Sequence, residues 1–302
     1  MNNTSNLFTI SPPENYILTV ITSLQIFFGF TSNAVVIATI LLGQRSNRTP
    51  SDIMVLNLSF ADLLPCVTIL PWTIFQLIQG RHSGPTKLLY DLVFCFLVYC
   101  CENAVLAVTI DRYIAICYPL RYTSIMSSKK NVMLIFLMWG SGIFNAVAVL
   151  ALSPFGLLAP VILAGCALSL LKVALILIMY GAIFRNVRRQ TNQISSAEFY
   201  ESSIGRKRHK KVTLNLLVKS AKNTFAIALF YLVTFLPIST LSILCFSSDL
   251  GSRVHHCGFQ IWFMCLYCFT LLNCGINPII YSLKNARFHR MFSRMINSLK
   301  NN

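Results

Sequence analysis

The sequence predicts an all-α membrane protein: a bundle of seven transmembrane helices followed by a short amphipathic cytoplasmic helix, the eighth. Three observations carry that prediction. Apolar residues make up 55 % of the 302-residue chain and charged residues 11 %, where a soluble domain carries about 25 % charged residues. The apolar residues gather in seven long runs, and a hydrocarbon core roughly 30 Å thick needs about 20 of them per helix. Seven such spans and their short loops use nearly the whole chain, with a mean hydropathy of +0.65, so one membrane domain is expected and no soluble one. The third observation is where the charge sits. The formal net charge is +16, and every Lys and Arg except Arg81, Lys87, Lys172 and Arg253 falls on one alternating set of loops or span ends. That positive-inside asymmetry puts the N-terminus outside and the C-terminus in the cytoplasm. It accounts for the charge without nucleic acid as a partner.

Residues 1–16 form the outer N-terminus. They are polar and lack a basic n-region, so the first span is expected to act as an uncleaved signal anchor. Overlapping glycosylation sequons begin at Asn2 and Asn3, on the side where glycosylation occurs; Asn47-Arg48-Thr49 also matches but lies on the inner side. The transmembrane domain covers 17–282, with spans at 17–42, 50–78, 87–118, 130–152, 158–189, 212–245 and 259–282. Spans four and five are joined by a very short link around Ser153-Pro154-Phe155-Gly156. The longest loop joins spans five and six. It carries Arg185, Arg188, Arg189 and the run Arg206-Lys207-Arg208-His209-Lys210-Lys211, which serves orientation and contact with anionic lipid or contact with a protein partner. In the tail, 283–302, an amphipathic helix is expected from Ser282 to Ser298. Phe288, Met291, Phe292, Met295 and Ile296 would face lipid, and Arg287, Arg290 and Arg294 the headgroups. Most of the eleven cysteines, among them Cys95, Cys100, Cys101 and Cys274, lie in apolar spans and read as small buried hydrophobes. Cys100-Cys101 lacks metal-ligand spacing and no hydrolytic triad is present, so neither a metal site nor an enzyme is expected.

Polar groups inside a bilayer are costly and mark function. Asp62 lies mid-membrane in span two, with Asn33, Cys101, Asn273 and Asn277 at similar depth. These form either a hydrogen-bonded site for a monovalent cation or a proton, or a satisfied packing network. Pro278, one position after Asn277, removes a backbone hydrogen bond and kinks span seven; a neighbouring amide can take up the freed carbonyl. Pro237 does the same in span six. Two kinked helices suit a switch, although transporters have them too. Arg112 ends span three beside Asp111, a carboxylate that can hold the guanidinium in a resting pose; the alternative is an interfacial arginine that snorkels. Glu102 and Lys172 sit in the middle of spans three and five. An isolated charge at that depth costs at least about 2.5–3.5 kcal/mol, so an ion pair, joined by the Tyr231 hydroxyl, is expected; the alternatives are neutralisation by shifted pKa values and a snorkelling Lys172.

These residues resemble the rhodopsin-like (class A) G-protein-coupled receptors over essentially the whole chain. The matching positions are Asn33, Leu58 and Asp62, Asp111-Arg112-Tyr113, Trp139, Tyr180, Pro237, Asn277-Pro278-Ile279-Ile280-Tyr281 and Phe288. The resemblance implies a glycosylated multi-pass receptor of the plasma membrane. An extracellular small molecule, lipid or peptide would shift the bundle to a state that activates a heterotrimeric G protein. Arrestin and a receptor kinase would be further partners, and no cofactor is implied apart from a sodium ion in the polar core. Arg112 would engage the G protein, with Tyr180 and Tyr281 swinging to support it. Glu102, Lys172 and Tyr231 would occupy the packing cluster that relays ligand binding to span six. The pocket would include Trp72, Asp91, Phe94, Cys95, Phe235 and Leu271.

The departures narrow the resemblance. Lys87 stands where such receptors place a disulfide cysteine in span three, and the second outer loop has none. With the tiny loop and no span-five proline, this is similar to the melanocortin, lysophospholipid, cannabinoid and adenosine cluster, most of all melanocortin receptors. A disulfide between Cys245 and Cys257, which flank the third outer loop, is expected in that setting. Of the melanocortin ligand carboxylates only Asp91 matches, and Trp72 replaces a glutamate. Aminergic receptors carry an aspartate where this chain has Phe94, and opsins a lysine where it has Leu271. Phe235 replaces the usual span-six tryptophan, and Thr234 the preceding cysteine. The rival classes are a transporter or channel, which would show repeated halves with paired broken helices, and a receptor-like scaffold that does not signal.

Overall fold

The computed structural model describes residues 12–42, 49–79, 85–198, 204–247, 265–266, 268–270, 272–277, 290, 292–293 and 297. Regular structure among them is helical: α1 (Pro12–Leu42), α2 (Pro50–Val67), α3 (Ile69–Gln79), α4 (Pro85–Cys117), α5 (Tyr122–Ile125), α6 (Ser128–Leu152), α7 (Leu158–Glu198) and α8 (Ile204–Ser247), with 3-10 turns at Pro119–Arg121 and Ser153–Phe155. Six spans are long and apolar enough to cross a membrane, α2 and α3 together counting as one. Helical residues between 265 and 277 belong to the seventh. Helices dominate because lipid offers no partner to backbone polar groups, and a helix satisfies them within the segment. At the start of α2 the Asp52 carboxylate accepts the Thr49 N–H at 2.6 Å, and Pro50 takes the first helical position, where its missing N–H costs nothing.

α4 is the axis of the bundle, packing against α2, α6, α7 and α8. The largest apolar core lies around it, with Met54, Leu58, Ala104, Val108, Ile176, Ile183 and Ile227 all buried. The outer surface reverses the order of a soluble protein. Phe136 and Phe144 are 73 % and 76 % exposed while Asn33, Asp62, Glu102 and Asp111 are at most 1 % exposed. Apolar outside and polar inside is the arrangement that lipid solvates.

Three features depart from the sequence expectation. Span two is not one helix: it breaks at Thr68, whose φ of −121° and ψ of −78° are not helical. Pro65 explains the distortion. It has no N–H to offer the Ala61 carbonyl one turn earlier, and the Cys101 thiol donates to that carbonyl instead, at 3.3 Å. Spans five and six run well past the expected loop, to Glu198 and from Ile204. The basic run 206–211 is therefore helix, as Lys and Arg are good helix formers. In the tail Phe292, expected to face lipid, packs against the buried Val36 and Ile40 of α1. The tight link between α6 and α7 holds Gly156 at φ 74°, a conformation that glycine adopts without a side-chain clash.

Candidate functional site

At the inner end of α4, Asp111 is fully buried and holds three donors. Arg112 Nη2 lies 2.5 Å from its Oδ2, Ser51 Oγ donates to the same oxygen at 2.9 Å, and Tyr122 O–H donates to Oδ1 at 2.7 Å. Ser51 and Tyr122 also meet each other at 2.9 Å. Burial, then the Asp111 charge, pushes the Tyr122 phenol up to about 12, so it stays a donor throughout the physiological range. Charge-assisted bonds of this kind are about twice as strong as neutral ones. The expected Asp111–Arg112 contact is present, reinforced by Ser51 and Tyr122, which the sequence did not single out. Tyr113 turns away and packs edge-on against Tyr118, with ring centroids 6.0 Å apart. Tyr180 is buried on α7 beside Phe225, centroids 5.1 Å apart.

The mid-membrane charges do meet. Lys172 Nζ lies 3.0 Å from Glu102 Oε2. The third member differs from expectation: the Tyr231 hydroxyl lies near Glu102 but outside hydrogen-bond geometry. Ser169 takes that place, its hydroxyl 2.9 and 2.7 Å from the two carboxylate oxygens. On the far side Lys172 Nζ sits 3.9 Å from the centroid of the Tyr99 ring, a cation–π contact that replaces part of the lost hydration. Tyr231 stacks on Phe235 with centroids 5.4 Å apart, within an apolar cluster that includes Val173 and Ile238.

Below them is the polar core. Asn277 Nδ2 donates to Asp62 Oδ2 at 2.7 Å. Asn33 Nδ2 donates to the Cys274 carbonyl at 2.6 Å. That carbonyl lies four residues before Pro278, which has no N–H to give it; Pro278 itself lies outside the described residues. Asn273 donates to the Thr234 hydroxyl, and Thr270 Oγ1 to the Thr234 carbonyl at 3.0 Å; both tie span seven to α8 near Pro237. The ligand atoms of Asp62, Cys101 and Cys274 lie within 4.8 Å of one another. The sequence did not bring these three residues together, because they come from three spans. Asp62 Oδ1 has no hydrogen-bond partner among the described residues. Beside the two sulfurs, the Oδ1 atoms of Asn33, Asn273 and Asn277 in the same polar core are also buried without a hydrogen-bond partner among the described residues.

A cavity reaches from Phe94, Leu97 and Val98 down to Cys101, Asn273 and Cys274. Of the expected pocket residues that are described, Phe94 lines it. Phe235 is buried beside Tyr231, Trp72 packs edge-on to Tyr90 at 5.4 Å, Cys95 is half-buried and Asp91 is exposed at the outer end of α4. Asn2, Asn3, Cys257, Leu271, Pro278 and Tyr281, and the side chain of Cys245, lie outside the described residues.

The sequence model of the 7 transmembrane receptor (rhodopsin family) matches residues 32–155 and 157–281. The chain is 25 % identical to the trace amine-associated receptor 6 of Homo sapiens over 299 residues, 86 % of this chain and 81 % of that receptor. It is 25 % identical to the alpha-1A adrenergic receptor of Bos taurus over 354 aligned positions, 98 % of this chain and 72 % of the other. With the alpha-1A adrenergic receptor of Oryzias latipes it shares 29 % identity over 151 residues, 45 % of this chain and 30 % of that receptor, so the chain spans under a third of that relative's length.

Proposed function

Because this chain belongs to the rhodopsin family of seven-transmembrane receptors, we propose that it is a plasma-membrane receptor that activates a heterotrimeric G protein. Its N-terminus faces outward. An extracellular ligand favours a state in which α7 and α8 part on the inner side, and it does so only by binding that state more tightly than the resting one. The observation that carries the proposal is the lock at the inner end of α4, where Arg112 is held by a carboxylate that Ser51 and Tyr122 keep in place. Release of Arg112 presents a cation to the G protein. Tyr180, Asn277, Pro278 and Tyr281 rearrange with it, and Glu102, Lys172 and Tyr231 pass the signal from the ligand to α8. Arrestin and a receptor kinase act on the same inner face. The outer disulfide Cys245–Cys257 and glycans at Asn2 and Asn3 belong to this proposal, as do the limits 1–16, 17–282 and 283–302.

The ligand enters above the cavity that Phe94, Leu97 and Val98 line. The relatives bear the names of receptors for adrenergic and trace amines. Amine receptors anchor the ammonium on an aspartate, however, and Phe94 stands at that place. The cavity favours a small apolar ligand, with Trp72, Asp91, Cys95, Phe235 and Leu271 shaping its approach. The test is a ligand-library screen read by cyclic AMP and calcium, followed by Arg112→Ala. An agonist that binds wild type and variant equally but signals only through wild type supports the proposal. Full signalling by Arg112→Ala contradicts it.

A further inference from the structure

We infer that the cage formed by Asp62, Cys101 and Cys274 is a site for a thiophilic d10 cation, with Zn2+ as the physiological case. The inference stands whether or not the chain couples to a G protein, since it needs only the bundle. Three spans each contribute one ligand atom, and the three atoms lie within 4.8 Å of one another. Asp62 is 1 % exposed. One of its oxygens is fixed by Asn277 at 2.7 Å, while the other is buried with no partner among the described residues. An orphaned carboxylate oxygen in a bilayer is expensive, and a cation beside it removes the cost. The fixed oxygen supplies the outer-shell hydrogen bond that orients metal-ligating carboxylates.

The chemistry of the donors selects the metal. Soft sulfur ligands favour Zn2+ and Cu+, whereas alkali and alkaline-earth cations favour oxygen. A further thiol, Cys66, lies within hydrogen-bonding reach of Cys274 and 3.3 Å from the Asp62 carbonyl. It is wedged so tightly against α1 that a Cβ at Gly29 would come 2.6 Å from its sulfur. Cys101 and Cys274 also line the cavity that reaches up to Phe94 and Val98. Zn2+ forms two Zn–S bonds and one Zn–O bond as the two S–H protons, and any proton on the Asp62 carboxyl, leave to solvent. Binding clamps spans two, three and seven together.

The test uses the full chain in lipid nanodiscs, stripped of metal and titrated with Cd2+ as the spectroscopic counterpart of Zn2+. The expected result is a saturable sulfur-to-cadmium charge-transfer band at one metal per receptor, displaced by Zn2+, with a rise in Tm in Zn2+. Cys101→Ser and Cys274→Ser should each weaken binding about tenfold or more. The double serine variant, now lined by oxygen, should lose the band and acquire a sodium-dependent Tm. Absence of a saturable band in wild type would overturn the inference, as would an undiminished band in the double variant or a wild-type Tm that follows Na+ and ignores Zn2+. Should the serine variants fail to fold, zinc-edge X-ray absorption on the wild type decides: two sulfurs at about 2.3 Å in the first shell support the site, and a shell without sulfur rejects it.

Discussion

Glu102 and Lys172 show how one residue pair can be judged by cost. Breaking a buried pair leaves a lone charge and costs about 3–5 kcal/mol, whereas replacing both partners is often neutral. Glu102→Gln or Lys172→Met alone should therefore cut surface expression several-fold or distort basal signalling. The double variant should recover both, and the charge-swapped pair should recover them in part. Simple additivity in this cycle, read by surface labelling and basal cyclic AMP, would mean that the 3.0 Å contact carries no coupling. Ser169→Ala should weaken the unit less, because it removes neutral hydrogen bonds to a charge worth about 1.5–3 kcal/mol; a Tm unchanged within error would show that Ser169 is idle. The pair was legible in the sequence because mid-span charges are rare and must be compensated. Ser169 and Tyr99 were not, since a serine or a tyrosine in a membrane helix carries no such penalty. Tyr231, expected to join the pair through its hydroxyl, stacks on Phe235 with that hydroxyl near Glu102.

Between elements, proline defects are repaired by side chains of neighbouring helices. The Cys101 thiol caps the carbonyl that Pro65 leaves bare, and Asn33 caps the one that Pro278 cannot serve. Each repair joins two spans, so the defects are also where helices are tied together. Asn33→Ala should leave a buried carbonyl unpaired at a cost of about 1–3 kcal/mol. A fall of several degrees in the Tm of the solubilised receptor is expected, and an unchanged Tm would show that the bond between spans one and seven is not structural. Hydropathy located the spans well. It missed the break at Thr68, which follows from local proline geometry, and the extension of α7 and α8 beyond the bilayer, because apolar content stops at the membrane surface while helix propensity does not.

For the whole molecule, charge asymmetry and seven apolar runs were enough to settle the class, and the family match covers most of the same length. What could not be read was convergence: Asp62, Cys101 and Cys274 lie far apart in sequence and meet only because α4 runs down the middle of the bundle. The lock on Arg112 was half legible, through the adjacent Asp111; Ser51 and Tyr122 reach it from the start of α2 and from α5. The central claim is that this lock holds the bundle at rest, and it can be tested without a ligand. Receptor in nanodiscs is mixed with purified G proteins, and nucleotide exchange is compared for wild type, Asp111→Asn, and Asp111→Asn with Arg112→Ala. Loss of a charged hydrogen-bond acceptor worth about 1.5–3 kcal/mol predicts basal exchange raised about tenfold or more in Asp111→Asn with at least one G-protein class, and returned to background when Arg112 is also removed. Exchange no faster in Asp111→Asn than in wild type, or undiminished without Arg112, would contradict the account.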